Sequence, residues 1–127
     1  EKPKLGHITT FGGNPIVASS ALATLKVLYK KNIMNEISEK ELLFRQRLKH
    51  PHIKKINGIG LMLAIVFKNR SIANKLVEEA MKDGLILFWL LWEKKAVRIS
   101  PPLNITLKEI NKGCDIIIKN LNRINDN

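Results

Sequence analysis

The order of apolar patterns in this chain predicts an α/β fold: a small, mostly antiparallel sheet with helices packed on one face. Three observations carry that expectation. Segments with apolar residues at three- and four-residue steps, and short continuous apolar runs, follow one another as helix, helix, strand, strand, helix, strand, strand, helix. The strand candidates therefore fall in adjacent pairs, the first joined through Gly58 and Gly60. With 127 residues, 45% of them hydrophobic and 26% charged, the chain fits one soluble globular domain with a core of its own.

Asn14-Pro15 supplies a helix N-cap followed by proline at the first helical position, and residues 15 to about 31 carry Val17, Ala21, Leu25 and Leu28 on one face. Ala18, Ser19, Ala21 and Ala23 would allow close approach to a neighbour. A second helix is expected over 35–49, with Ile37, Phe44 and Leu48 inward, its Glu and Lys residues outward, and Pro51 as its stop. Residues 53–56 suit a short strand, and the run 61–67 has the length of a strand covered on both faces. Ser71 can cap a helix ending near Asp83, which turns Ala73, Leu76, Val77 and Ala80 to the sheet and has Gly84 just past its end.

Leu85-Ile86-Leu87-Phe88-Trp89-Leu90-Leu91-Trp92 is too short to cross a bilayer and would aggregate as an exposed edge. Core packing of Trp89 and Trp92 is the expectation, with contact to a missing domain or a substrate entrance as the alternative. Residues 96–100 alternate as a strand that ends at Pro101-Pro102. Thr106 and Glu109 form a capping-box pattern, and Ile110, Cys114, Ile117, Leu121 and Ile124 then make the clearest helical stripe in the chain. Cys114 on that stripe reads as a small buried hydrophobe and not a nucleophile. Residues 125–127 are expected to fray.

A net charge of +11 invites a nucleic-acid reading, because clustered cations attract phosphate backbones. The basic residues are spread along the chain, however, at Lys30-Lys31, Arg45, Arg47, Lys49, Lys54-Lys55 and Lys94-Lys95, several of them opposite apolar stripes. A basic nucleic-acid-binding module is therefore kept as an alternative. The single cysteine excludes an intrachain disulfide and suits a cytoplasmic setting, and no secretory leader is visible. His50 and His52 flank Pro51 without a further His or Cys nearby, which favours a loop over a metal site.

Thr9-Thr10-Phe11-Gly12-Gly13-Asn14-Pro15 places two hydroxyls before a glycine pair and a capped helix, which can contact a phosphate or form an ordinary turn. With His7 before it and a small-residue helix after it, this stretch resembles the signature of class III pyridoxal-phosphate aminotransferases, the acetylornithine, ornithine and 4-aminobutyrate enzymes. Gly58-Ile59-Gly60-Leu61-Met62-Leu63 is similar to that family's Gly-x-Gly-Leu-Met turn, and Arg98-Ile99-Ser100-Pro101-Pro102-Leu103 to its Arg-x-x-Pro-Pro-Leu segment. The three matches occur in the family's order. Ile8 stands where many members have glycine, and Asn57 where many have arginine, which leaves the subgroup and its substrate open.

The resemblance implies the small C-terminal domain of a fold-type I transferase, with residues 1–14 ending the large-domain cofactor segment, 15–33 a connecting helix and 34–127 the small domain. It implies pyridoxal 5'-phosphate as cofactor, with Thr10, and secondarily Thr9, donating to the phosphate bound in the neighbouring subunit of a homodimer. Arg98 would engage the carboxylate of an amino-acid substrate. An intrasubunit salt bridge is the other reading of a lone charge in an apolar strand. The family's covalent lysine and its pyridine-pairing aspartate lie upstream of the Thr-Phe-Gly-Gly segment. Neither Lys2 nor Lys4 suits that role, so the chain is expected to be inactive without the missing large domain. An inactive interaction domain that kept this fold is the remaining alternative.

Overall fold

The computed structural model describes residues 9–30 and 33–124. The readings made at Lys2, Lys4, His7, Ile8, Lys31 and residues 125–127 lie outside them. The chain divides into two compact units, Glu1–Ile33 and Met34–Asn127.

In the first unit, a turn over residues 10–13 leads into helix α1 (Pro15–Lys30). The turn is closed by the Gly12 amide donating to the Thr9 carbonyl at 3.1 Å and the Asn14 amide to that of Phe11 at 3.2 Å. Asn14 caps α1 as its sequence suggests: Oδ1 accepts from the amides of Ile16 at 3.0 Å and Val17 at 3.3 Å. Pro15 takes the first helical position, where its missing N–H costs nothing.

The second unit holds everything else. After a 3-10 turn (Ile33–Glu36) whose first residue belongs to the first unit, helix α2 (Ile37–Arg47) is followed by strands β1 (Ile53–Ile59) and β2 (Met62–Phe67). Helix α3 (Arg70–Lys82), strands β3 (Phe88–Trp89) and β4 (Ala96–Ile99), and helix α4 (Leu107–Arg123) complete it. The order of helices and strands is the one the apolar pattern predicts. All three strand pairings are antiparallel, in the spatial order β1-β2-β4-β3.

Pairing fixes which side chains share a face. Leu63 lies opposite Ile99, Ile65 opposite Val97, and Ile53 opposite Phe67, so these residues line one side of the sheet. That side is sealed by Phe44 and Leu48 at the end of α2, by Ile72, Leu76 and Val77 of α3, and by Ile110, Cys114, Ile117 and Leu121 of α4. The opposite side carries Met62, Ala64 and Arg98. Met62 is 78% exposed, so β2 is not covered on both faces as its continuous apolar run suggested. Helices α2, α3 and α4 supply one layer only; Val66 and Ala96 are nonetheless buried.

Several boundaries shift for local reasons. Helix α2 starts two residues later than expected, behind the 3-10 turn, and ends at Arg47, three residues before the position that Pro51 restricts. Lys40 of α2 is 4% exposed, contrary to the outward placing of its lysines: its ammonium donates to the Leu103 carbonyl at 2.9 Å and pairs with Glu36 at 2.8 Å. Helix α3 is capped by Asn69, not Ser71. Asn69 has extended backbone and its Oδ1 accepts from the Ile72 amide at 3.0 Å, leaving Ser71 inside the first turn. The far end closes as expected on Gly84, at φ 83°, with Gly84 donating to Met81 and Leu85 to Ala80.

The largest departure is the run 85–92. Only Phe88 and Trp89 pair with β4, at the sheet's edge, and Trp89 is 46% and Trp92 98% exposed. Neither tryptophan packs in the core. An edge strand has a single neighbour, and β4 begins at Ala96, so pairing ends with the Leu90 amide donating to the Ala96 carbonyl at 3.2 Å and the chain beyond Leu90 leaves the sheet. Among the described residues, no helix is long and apolar enough to cross a membrane.

Candidate functional site

Thr9 and Thr10 are exposed in the turn before α1. Hydroxyls that face solvent at a turn are free to rotate toward a phosphate, and a dianion needs several such donors. The helix N-terminus adds little, because Asn14 already occupies the Ile16 and Val17 amides. A Cβ on Gly12 would lie 2.9 Å from Thr9 Cγ2, so glycine there leaves the Thr9 side chain its place; a Cβ on Gly13 would meet nothing within 4 Å. The residues present thus fit the edge of a phosphate site through Thr9 and Thr10.

Arg98 lies on the other unit, in the middle of β4, pointing to the side of the sheet opposite α2, α3 and α4. Val97 and Ile99 on either side of it are buried among the helices, while Arg98 is exposed. Alternation along the strand therefore explains how a charge occupies an apolar run without being desolvated. Opposite it stand Ala64 on β2 and Phe88 on β3. Its guanidinium carbon lies over the Phe88 ring, 5.6 Å from the centroid, a cation–π contact of ~0.5–1 kcal/mol at an exposed position. Among the described residues no carboxylate pairs with Arg98, so the intrasubunit salt bridge finds no support there. Arg98 also borders a cavity of about 420 Å³, lined by Leu85, Leu87, Phe88, Ile99, Ile105 and Glu109 among others.

The β1–β2 turn is held by features outside its own segment. The Arg45 guanidinium of α2 donates to the carbonyls of Ile56 and Gly58, each at 2.8 Å, and its Nε to Glu41 at 2.9 Å. Glu41 in turn accepts from the Gly60 amide at 2.6 Å. That amide, with Arg45 second, holds the Glu41 carboxyl below the usual range. The pair ties the β1–β2 turn to α2. Its spacing of four residues was the signal in the sequence, and it was missed there. Phe88 was missed as well; only the register of β3 against β4 brings it to Arg98.

His50 and His52 are structural. His50 Nε2 meets Asn122 Oδ1 at 3.1 Å and His52 Nε2 the Ile124 carbonyl at 3.0 Å, so both rings join the approach to β1 with the end of α4. Cys114 is fully buried, and burial pushes its thiol up to about 11. A thiol so placed is no nucleophile.

The family described as aminotransferase class-III matches residues 2–121 of the chain. Among solved structures, the chain is similar to an acetylornithine aminotransferase of Elizabethkingia anophelis, at 28% identity over 93% of this chain and 32% of that one, with a TM-score of 0.82. It is similar to an ornithine delta-aminotransferase of Plasmodium falciparum at 30% identity, over 100% of this chain and 33% of that one, with a TM-score of 0.80. An adenosylmethionine-8-amino-7-oxononanoate aminotransferase of Methanocaldococcus jannaschii aligns at 26% identity, over 95% and 30% of the two chains, with a TM-score of 0.79. The chain thus spans about a third of the length of the structures it matches.

Proposed function

Since this chain belongs to the class-III aminotransferase family, we propose that it is the C-terminal part of a pyridoxal-phosphate-dependent enzyme that moves an amino group from an amino acid or amine to a 2-oxo acid. The observation that carries this reading is the family match over residues 2–121, which includes both the Thr-Phe-Gly-Gly turn and Arg98. Pyridoxal phosphate, when bound, supplies the electron sink that the transfer requires. Thr10, with Thr9 beside it, donates its hydroxyl to the phosphate held by the neighbouring subunit of a homodimer. Arg98 presents paired N–H donors to a substrate carboxylate, which orients the amino group and adds about 1.5–3 kcal/mol of binding. The covalent lysine belongs to the large domain upstream, so residues 1–127 alone are inactive. The lone buried cysteine is in keeping with a cytoplasmic enzyme.

The test is expression of the intact protein with pyridoxal phosphate and measurement of amino transfer from ornithine, N-acetylornithine and 4-aminobutyrate. Transfer from at least one donor is expected. Thr10→Ala is expected to weaken retention of the cofactor by about tenfold, read by dialysis and absorbance. Arg98→Ala is expected to raise the donor KM about tenfold or more. No transfer from any donor would remove the proposal, and unchanged cofactor retention would remove the role of Thr10.

A further inference from the structure

Arg98 stands between two unequal neighbours on the open side of the sheet. On β2 its partner is Ala64, whose methyl group cannot hold a guanidinium; on β3 its partner is Phe88. Phe88 is 55% exposed, on a strand of only two residues, so its ring contributes little to the core. The ring lies instead under the Arg98 guanidinium, at 5.6 Å.

The two ways of fixing an arginine differ in what they leave over. A carboxylate partner takes up the planar N–H fork, whereas an aromatic ring contacts the guanidinium face and leaves the fork free. An unsupported arginine on an open sheet face would spread over many rotamers, and each would have to be lost again when a ligand binds. We propose that Phe88 is a positioning residue for Arg98, its ring holding the guanidinium over the open sheet face with the N–H fork free to receive a substrate carboxylate. This rests on the reading of Arg98 as the carboxylate anchor.

The experiment uses the intact enzyme with pyridoxal phosphate bound. Phe88→Leu keeps the apolar bulk and removes the π face. The donor KM, and the inhibition constant of pentanoate as a bare carboxylate probe, are expected to rise about three- to tenfold while kcat stays within about twofold. Phe88→Trp is expected to restore both. Added to Arg98→Ala, Phe88→Leu is expected to change neither quantity further. If Arg98→Ala raises both quantities and Phe88→Leu leaves them in place, or if Phe88→Leu has its full effect without Arg98, the inference is overturned while the role of Arg98 stands. If Arg98→Ala itself changes nothing, the anchor reading fails, and this one with it.

Discussion

Gly58 illustrates how a single residue can be fixed by geometry alone. At φ 109°, with a Cβ there only 2.0 Å from the Met62 carbonyl oxygen, no side chain fits. Gly58→Ala is expected to lower stability by upward of about 2 kcal/mol, read from the urea midpoint, because strain and clash act together. Cys114 makes a prediction in pH. Its folded value of about 11 lies above the ordinary 9.0, so the folded state retains a proton that the unfolded chain loses. Its contribution is fully present below pH 9 and is lost as pH rises toward 11, a decline that Cys114→Ala should lessen in denaturation curves taken across that range. The burial of Cys114 was legible in the sequence because helical spacing decides it. The exposure of Arg98 was not: the strand could be read, but the side of the sheet to be left open depends on where the helices come from.

At the level of elements, end signals were the most legible. The capping box of α4 is complete, with the Glu109 amide donating to Thr106 Oγ1 at 3.2 Å and the Thr106 amide to Glu109 Oε2 at 2.8 Å. Thr106→Ala is expected to cost about 1 kcal/mol in urea unfolding. The Thr106 amide, then its hydroxyl, hold the Glu109 carboxyl low, so its contribution is present above about pH 4.5 and fades as pH falls through the lower folded value. Asn69 shows the limit of such signals, since Asn69 and Ser71 are both good caps and only the extended backbone at 69 separates them. The run 85–92 was legible only in its first part: Leu85 and Leu87 pack on the core as a covered run should, while Trp89, Leu91 and Trp92 are exposed because β4 is too short to pair with the rest. Trp92→Ser is therefore expected to change the unfolding free energy of this chain by no more than about 0.5 kcal/mol, a result that core packing would not allow.

Taken whole, the second unit is a one-sided sandwich whose stability resides in the layer between sheet and helices. Leu76, fully buried where α3 meets that layer, tests this: Leu76→Ala is expected to cost roughly 2–5 kcal/mol by calorimetry or urea titration, against near neutrality for the same change at Leu91, which is 87% exposed. The antiparallel pairing could be read from the order of elements and the inward stripes from periodicity; the side of the sheet that α2, α3 and α4 leave uncovered could not, because a continuous apolar run looks alike whether one or both faces are covered. The burial of Lys40 carries a last consequence, for surface chemistry. Its amine is held between the Leu103 carbonyl and Glu36, out of reach of solution electrophiles. In acetic-anhydride footprinting of the native chain, peptides bearing Lys40 should stay unmodified while those bearing Lys54 and Lys55 are already labelled, and reagent uptake at Lys40 would mark the moment the loop after the double proline comes loose.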